Sequence, residues 1–198
     1  MIRRLAAALA LMLAQAAFAQ GGFPNRTITM VVGFAPGGGT DSVARVVAKK
    51  MGDSVGQTVI VENKAAAGGT VATHQVAKSP PDGSTFMVTF DSHAVIPSIL
   101  EKPGLDVEKD LVPVFLVGTA PYVLAANAER PYKNFADVVA ASKANPGVVK
   151  YASVGIGTLG HLAMTVLGKK AGVEITHVPY LGGGPAMNDV LGGHVDMI

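Results

Sequence analysis

Three consecutive glycines, Gly37 to Gly39, stand between an apolar β-branched run and a helical pattern, and this junction restricts the architecture more than any other feature of the chain. Ile28 to Val32 is short and β-branched, as a buried strand is, and Pro36 with the glycines stops it abruptly. Val43, Val46, Val47 and Met51 then recur at helical spacing beside the small residues Ala44 and Ala48, with Gly52 as the stop. The spacing predicts strand, loop and helix in direct succession. Thr40 or Asp41 can bond N–H groups of the first helical turn, leaving others to point outward with the positive end of the helix dipole. Such an end suits a carboxylate or phosphate, and glycine lets the backbone approach it closely. Phe34, Ala35, Gly37, Gly38, Gly39 and Thr40 are therefore candidate ligand residues. Asp41, whose charge would repel an anion, is assigned to holding the loop.

The loop is not a nucleoside triphosphate loop. Gly33 and Gly38 have the right gap, but Gly39 stands where that motif needs a lysine before Thr40. Further on, Thr58 to Glu62 reads as a second strand, Ala65 to Gly69 as a small-residue loop into a helix through Lys78, and Thr85 to Phe90 as a third strand after the turn at Pro80 to Gly83. Strands separated by helices imply a parallel α/β sheet, whose ligands lie at the carboxyl ends of the strands. Ser92 falls there, and its hydroxyl can either meet a ligand carboxylate or cap a helix beginning near Ala94. His93 reads as a surface residue.

Val114 to Ala126 is apolar apart from Gly118, Thr119 and Pro121, and reads as a long broken strand crossing between lobes. Asn134 should cap a helix over Phe135 to Ala144, which Asn145-Pro146-Gly147 ends. Val148 to Ser153 is the next strand, and the loop Ser153 to His161 repeats the opening design. Ser153, Gly155, Gly157 and Thr158 can hold a second anionic group there, with His161 beside them. Gly155, Gly157 and Gly160 also spell a dinucleotide fingerprint, but Glu174 precedes its strand, Ile175 to Tyr180, instead of ending it. A nucleophile elbow fails as well, because Tyr151 stands where its first glycine belongs. Gly172 closes the helix Leu162 to Lys170. After the strand, Tyr180 can line a cleft and Gly182 to Gly184 form a third glycine turn, leading to a helix over Pro185 to Leu191 and a strand beginning at His194.

Composition removes several function classes. The absence of cysteine excludes disulfides, thiolate metal sites and cysteine nucleophiles. No metal-spaced histidines or paired carboxylates occur, and no cofactor is expected. Arg3 and Arg4, the apolar run Leu5 to Phe18 and the site Ala17-Phe18-Ala19 read as an export signal over residues 1–19, with the mature chain starting at Gln20. Its apolar run is too short to span a membrane. Without those two arginines, 14 basic residues face 14 acidic ones. That balance, with no tryptophan and few aromatics, argues against nucleic acid as a partner.

The segment Gly33-Phe34-Ala35-Pro36-Gly37-Gly38-Gly39-Thr40-Asp41, followed by Ala44-Arg45, resembles the signature of the solute-binding proteins of tripartite tricarboxylate transporters, the Bug family. Val59 to Asn63 with Ala67-Gly68-Gly69, Pro81-Asp82-Gly83, Lys109 to Val114, Asn145-Pro146-Gly147, Gly157 to Leu162, His177 to Tyr180 and Leu191 to Asp196 follow in the family's order. The resemblance implies an α/β, two-lobed periplasmic binding protein of type II-like fold, acting as a monomer. It implies that a small organic acid is closed between lobe 1 (residues 20–118) and lobe 2 (119–198) and passed to membrane transporter subunits. The family continues beyond residue 198, so the second lobe is expected to be incomplete. The rival expectations are an exported hydrolase using Ser153 and a histidine, and a partner that presents ligand to a periplasmic sensor.

Overall fold

A computed structural model describes residues 22–99 and 104–198; the expected export signal lies outside them. The first sheet has three parallel strands, β1 (Ile28–Val32) between β2 (Val59–Asn63) and β3 (Thr85–Val88). Ile28 pairs with Val59 and Val32 with Asn63 on one side, and Thr29 with Thr85 on the other. Helix α1 (Gly39–Val55) connects β1 to β2, and α2 (Thr70–Ala77), entered through a 3₁₀ turn at Ala67–Gly69, connects β2 to β3. Helix α3 (Ser92–Ile99) follows β3. The second sheet pairs β4 (Lys150–Ser153) with β5 (Thr176–Pro179), again in parallel, with α4 (Phe135–Ala144) before it, α5 (Leu159–Ala171) between its strands and α6 (Gly183–Leu191) after it. The α/β class and the parallel order are those expected.

Central position explains β1's composition. Ile28, Val31 and Val32 are fully buried because strands flank β1 on both sides and helices cover it. In the second sheet, Val138, Val149, Tyr151, Met164 and Met197 form one core cluster. Asn134 caps α4 reciprocally: its side chain accepts from the Asp137 amide while the Asp137 carboxylate accepts from the Asn134 amide. Gly172, in the left-handed region, closes α5.

Three local expectations are corrected. Helix α1 turns Ala44 and Ala48 to the sheet and leaves Val43 and Val46 exposed, Val46 to 66%. Small residues let the helix lie close over β1 and β2, so its buried stripe is the small one. The helix also runs past Gly52 and ends at Gly56, whose N–H returns to the Gly52 carbonyl. Second, the run Val114 to Ala126 forms no strand: no described strand lies beside Val114 to Leu124 to take its N–H and C=O groups. Only its far end is paired, where Ala125 exchanges both backbone bonds with Ile198 and Asn127 donates to Asp196. The apolar side chains Val112, Phe115 and Val123 are consequently exposed. Third, His93 is half-buried, and that burial lowers its pKa.

The α1 orientation is checked by substitution. Ala44→Leu should cost about 1–3 kcal/mol in urea unfolding by overpacking against β1, while Val46→Ala should stay within about 0.5 kcal/mol. Equal costs would mean the helix is rotated.

Candidate functional site

Parallel strands deliver their following loops to one edge, and here that edge carries a cavity. Residues after β1 (Gly33, Phe34), after β2 (Ala66 to Gly68), after β4 (Val154 to Ile156) and at the end of β5 (Pro179 to Leu181) enclose about 250 Å³. Both sheets contribute walls. The loops meet closely enough that a β-carbon on Gly33 would lie 2.6 Å from the Gly69 Cα, and one on Gly182 would lie 2.7 Å from the Ala35 nitrogen. Glycine at those two positions is therefore a condition of the approach. Ala35 donates its N–H across the sheets to the Leu181 carbonyl at 2.8 Å.

The first glycine loop is held by a buried carboxylate. Asp41 Oδ2 accepts from the Gly37 amide at 3.0 Å and from Arg45 Nε at 2.9 Å. Its Oδ1 accepts from Arg45 and from Asn63 Nδ2, both at 2.9 Å. Asn63 uses the same amide group to reach the Phe34 carbonyl. Hydrogen bonds from Arg45 bring the Asp41 pKa down to about 2, against the opposing effect of burial, with the Gly37 amide and Asn63 helping. Arg45 is one turn along α1, so the spacing of Asp41 and Arg45 fixes this pair in the sequence.

The second glycine loop is held by hydroxyls and a histidine. Thr158 Oγ1 donates to the Gly155 carbonyl at 2.7 Å, and Ser153 Oγ accepts from the Gly155 amide at 3.2 Å. Ser153 Oγ also lies 2.7 Å from His177 Nε2, and the Gly157 amide donates to His161 Nδ1 at 3.2 Å. The His177 ring stacks between Tyr151 and His161, at centroid distances of 4.8 and 4.3 Å. Burial, and then the neighbouring His161, push its pKa down.

Of the residues expected at a ligand site, Phe34, Gly155 and Tyr180 line the cavity. Ala35, Gly37, Gly38, Gly39 and Thr40 do not. The start of α1 instead meets the start of α6, where a β-carbon on Gly38 would stand 3.1 Å from the Gly183 nitrogen. The expected opposition of the first two helix starts is thus replaced: the first loop abuts the third glycine turn, and the second loop faces the turn after β2. Ser153, Gly157, Thr158 and His161 lie behind the second loop and shape it. Ser92 is buried at the first residue of α3 with its hydroxyl unpartnered, so it caps nothing. The Tyr180 hydroxyl turns from the cavity to Asp189 at 2.5 Å, and burial with that bond pushes its pKa up to about 12.

Ala66, Ala67, Gly68 and Leu181 were absent from the expected site because none carries a reactive side chain. Their signal is positional: a small-residue run directly after a parallel strand, with Ala67 and Gly68 both at positive φ. The amides of Ala67, Gly68, Ile156 and Leu181 have no protein acceptor among the described residues. The site offers backbone donors and apolar walls. Among the described residues there is no cluster of His, Asp or Glu able to hold a metal ion, and no helix long and apolar enough to cross a membrane.

A family model described as tripartite tricarboxylate transporter family receptor matches residues 43–198. The chain is similar to the solved periplasmic binding protein BugD, with 39% identity and TM-score 0.83 over 88% of this chain and 58% of that one. It is similar to a protein of R. palustris solved with adipate, with 32% identity and TM-score 0.84 over 89% and 59%. A third neighbour is MatC of Rhodopseudomonas palustris with bound malate, with 33% identity and TM-score 0.78 over 88% and 60%. The chain spans about half the length of the curated relatives it matches at 40% identity.

Two titrations check the supports of the loops. Asp41 has a lowered folded pKa, so its contribution is complete above 3.8 and is lost as pH falls through about 2. Asp41→Asn should cost about 2 kcal/mol in urea at pH 7 and flatten that acid limb; an unchanged acid limb would show that the carboxylate does not hold the loop. His177 also has a lowered folded pKa, so its contribution is complete above the ordinary value of 6.5 and drains as pH falls below it. In an NMR titration its ring should therefore have a midpoint below 6.5, and a midpoint above it would contradict the buried stack.

Proposed function

The chain belongs to the tripartite tricarboxylate transporter receptor family, and from that premise we propose that it captures a small organic carboxylate between two lobes and delivers it to a membrane transporter. The lobes are residues 20–118 and 119–198, and the protein works in the periplasm, reached through the export signal at residues 1–19. One observation carries the reading: the cavity at the carboxyl ends of both sheets is lined from each sheet by residues whose backbone amides have no acceptor among the described residues, Ala67 and Gly68 on one side, Ile156 and Leu181 on the other. Backbone N–H groups that converge in a concavity favour anions without needing a cationic side chain. The volume is below the roughly 300–1,000 Å³ of pockets for drug-sized ligands, in keeping with a small acid. Neighbours of the same fold hold adipate and malate.

Binding without chemistry is favoured over hydrolysis by the state of Ser153. Its hydroxyl pairs with His177 at a distance suited to a nucleophile and its base, but it is only 4% exposed and off the cavity wall. No carboxylate bonds His177 among the described residues.

Thermal shift against mono-, di- and tricarboxylates tests the function. A ligand at a hundred times its dissociation constant should add about 2.7 kcal/mol. Ile156 lines the cavity yet is 67% exposed, so Ile156→Asp should leave the unliganded melting point within a degree or two and abolish the shift by placing a negative charge at the rim. An unaltered shift in the variant would move the ligand elsewhere.

A further inference from the structure

The neighbours' two acids differ in kind, since malate carries a hydroxyl on its chain and adipate does not, so the ligand chemistry of this site has to come from its own walls. Five of the side chains on them are Phe34, Ala67, Val154, Ile156 and Leu181, none with a polar atom. Among the described residues, four hydroxyls of the flanking segments are engaged within the protein: Thr70 donates to the Ala67 carbonyl, Thr158 to the Gly155 carbonyl, Ser153 sits against His177, and Tyr180 against Asp189. Asn63, at the end of β2, spends its side-chain amide on Asp41 and the Phe34 carbonyl. Ser92, whose buried hydroxyl has no partner, is not on the wall. Among the described residues, the polar groups of the lining loops that have no protein partner are main-chain ones.

We propose that the site selects carboxylates with an unsubstituted hydrocarbon body, aliphatic or aromatic, over hydroxylated acids of the same length. This rests on the binding function proposed above. The amides receive carboxylate oxygens at the ends of the molecule, while its middle lies against Phe34, Val154, Ile156 and Leu181. A hydroxyl in the middle would leave water without finding a side-chain partner, and such an unmade bond is penalised. Rejection of an added hydroxyl by an apolar pocket reaches roughly 10² in other proteins, which sets the scale here.

Matched pairs isolate the effect. Dissociation constants of the full chain for succinate against malate, and for adipate against galactarate, are measured by calorimetry at one pH and salt. The unsubstituted member of each pair should bind roughly 10- to 100-fold more tightly. Ile156→Asn, which puts an amide side chain at the rim of the same cavity, should bring the ratio toward one. Equal or tighter binding of malate and galactarate would overturn the selectivity while leaving the carboxylate function standing. If the variant's ratio stays at the unsubstituted protein's value, Ile156 does not face the body of the ligand and the assignment of the wall fails. Absence of heat or thermal shift with every mono-, di- and tricarboxylate tried would overturn the binding function itself, and the selectivity with it.

Discussion

Asp41 is the residue on which the arrangement of the first loop depends. A carboxylate that is almost wholly buried has to be paired and hydrogen-bonded to remain charged, and this one meets that condition with Arg45, Asn63 and the Gly37 amide together. Each partner comes from a different element: the loop, the next turn of α1 and the end of β2. The consequence is that the loop after β1 has one conformation with respect to β2. Phe34 is fixed too, because Asn63 holds its carbonyl and Val32 and Ala44 pack beside it. The wall of the cavity on this side is therefore set before any ligand arrives.

The two sheets approach through backbone. Gly182 against Ala35 and Gly38 against Gly183 are contacts between them in which a β-carbon would clash or crowd, and Gly33 against Gly69 is a contact of the same kind between two loops of the first sheet. Removing side chains at these points brings main-chain donors within reach of one small cavity, and it also means that selectivity cannot come from glycine. That falls to the few side chains that remain, Phe34, Val154, Ile156 and Leu181. The glycines permit the close approach, and in the selectivity we propose the apolar residues among them set what the space will hold.

How far this could be read from the sequence depends on what each residue contributes. Ile28 to Val32 announces a buried strand because four of its five residues are apolar and four are β-branched, and Asn134 announces a helix start as a capping residue. Asp41 could be placed by charge alone, since an anion site does not welcome a carboxylate. The face of α1 could not: hydrophobicity favours Val46 over Ala44, while close packing on a sheet favours the smaller residue, and packing prevails. The loop at Ala66 to Gly68 escaped for a related reason, because main-chain amides carry no residue-specific label. For the run Val114 to Ala126, apolar composition predicts a strand, but a strand exists only with a neighbour, and no pattern within the run says whether one is present.

Contacts between the sheets are modest in energy, and that bears on the mechanism we propose. The bond from Ala35 to Leu181 is worth about 1 kcal/mol net. Half-buried Val154, packed on Val32, Phe34 and Ala44, adds about 1 kcal/mol, since full burial of such a side chain gives about 1.5–3. A ligand at a hundred times its dissociation constant supplies about 2.7 kcal/mol, the same order. In the mechanism we propose, a contribution of that order biases two lobes only when the ligand touches both, because a ligand confined to one sheet has no differential hold on the open and closed arrangements. The cavity satisfies that requirement through walls from β1 and β2 on one side and β4 and β5 on the other. The starts of α1 and α6, pressed against each other, do not line it, so in the mechanism we propose the contacts to the acid fall to the loops and the apolar side chains between them.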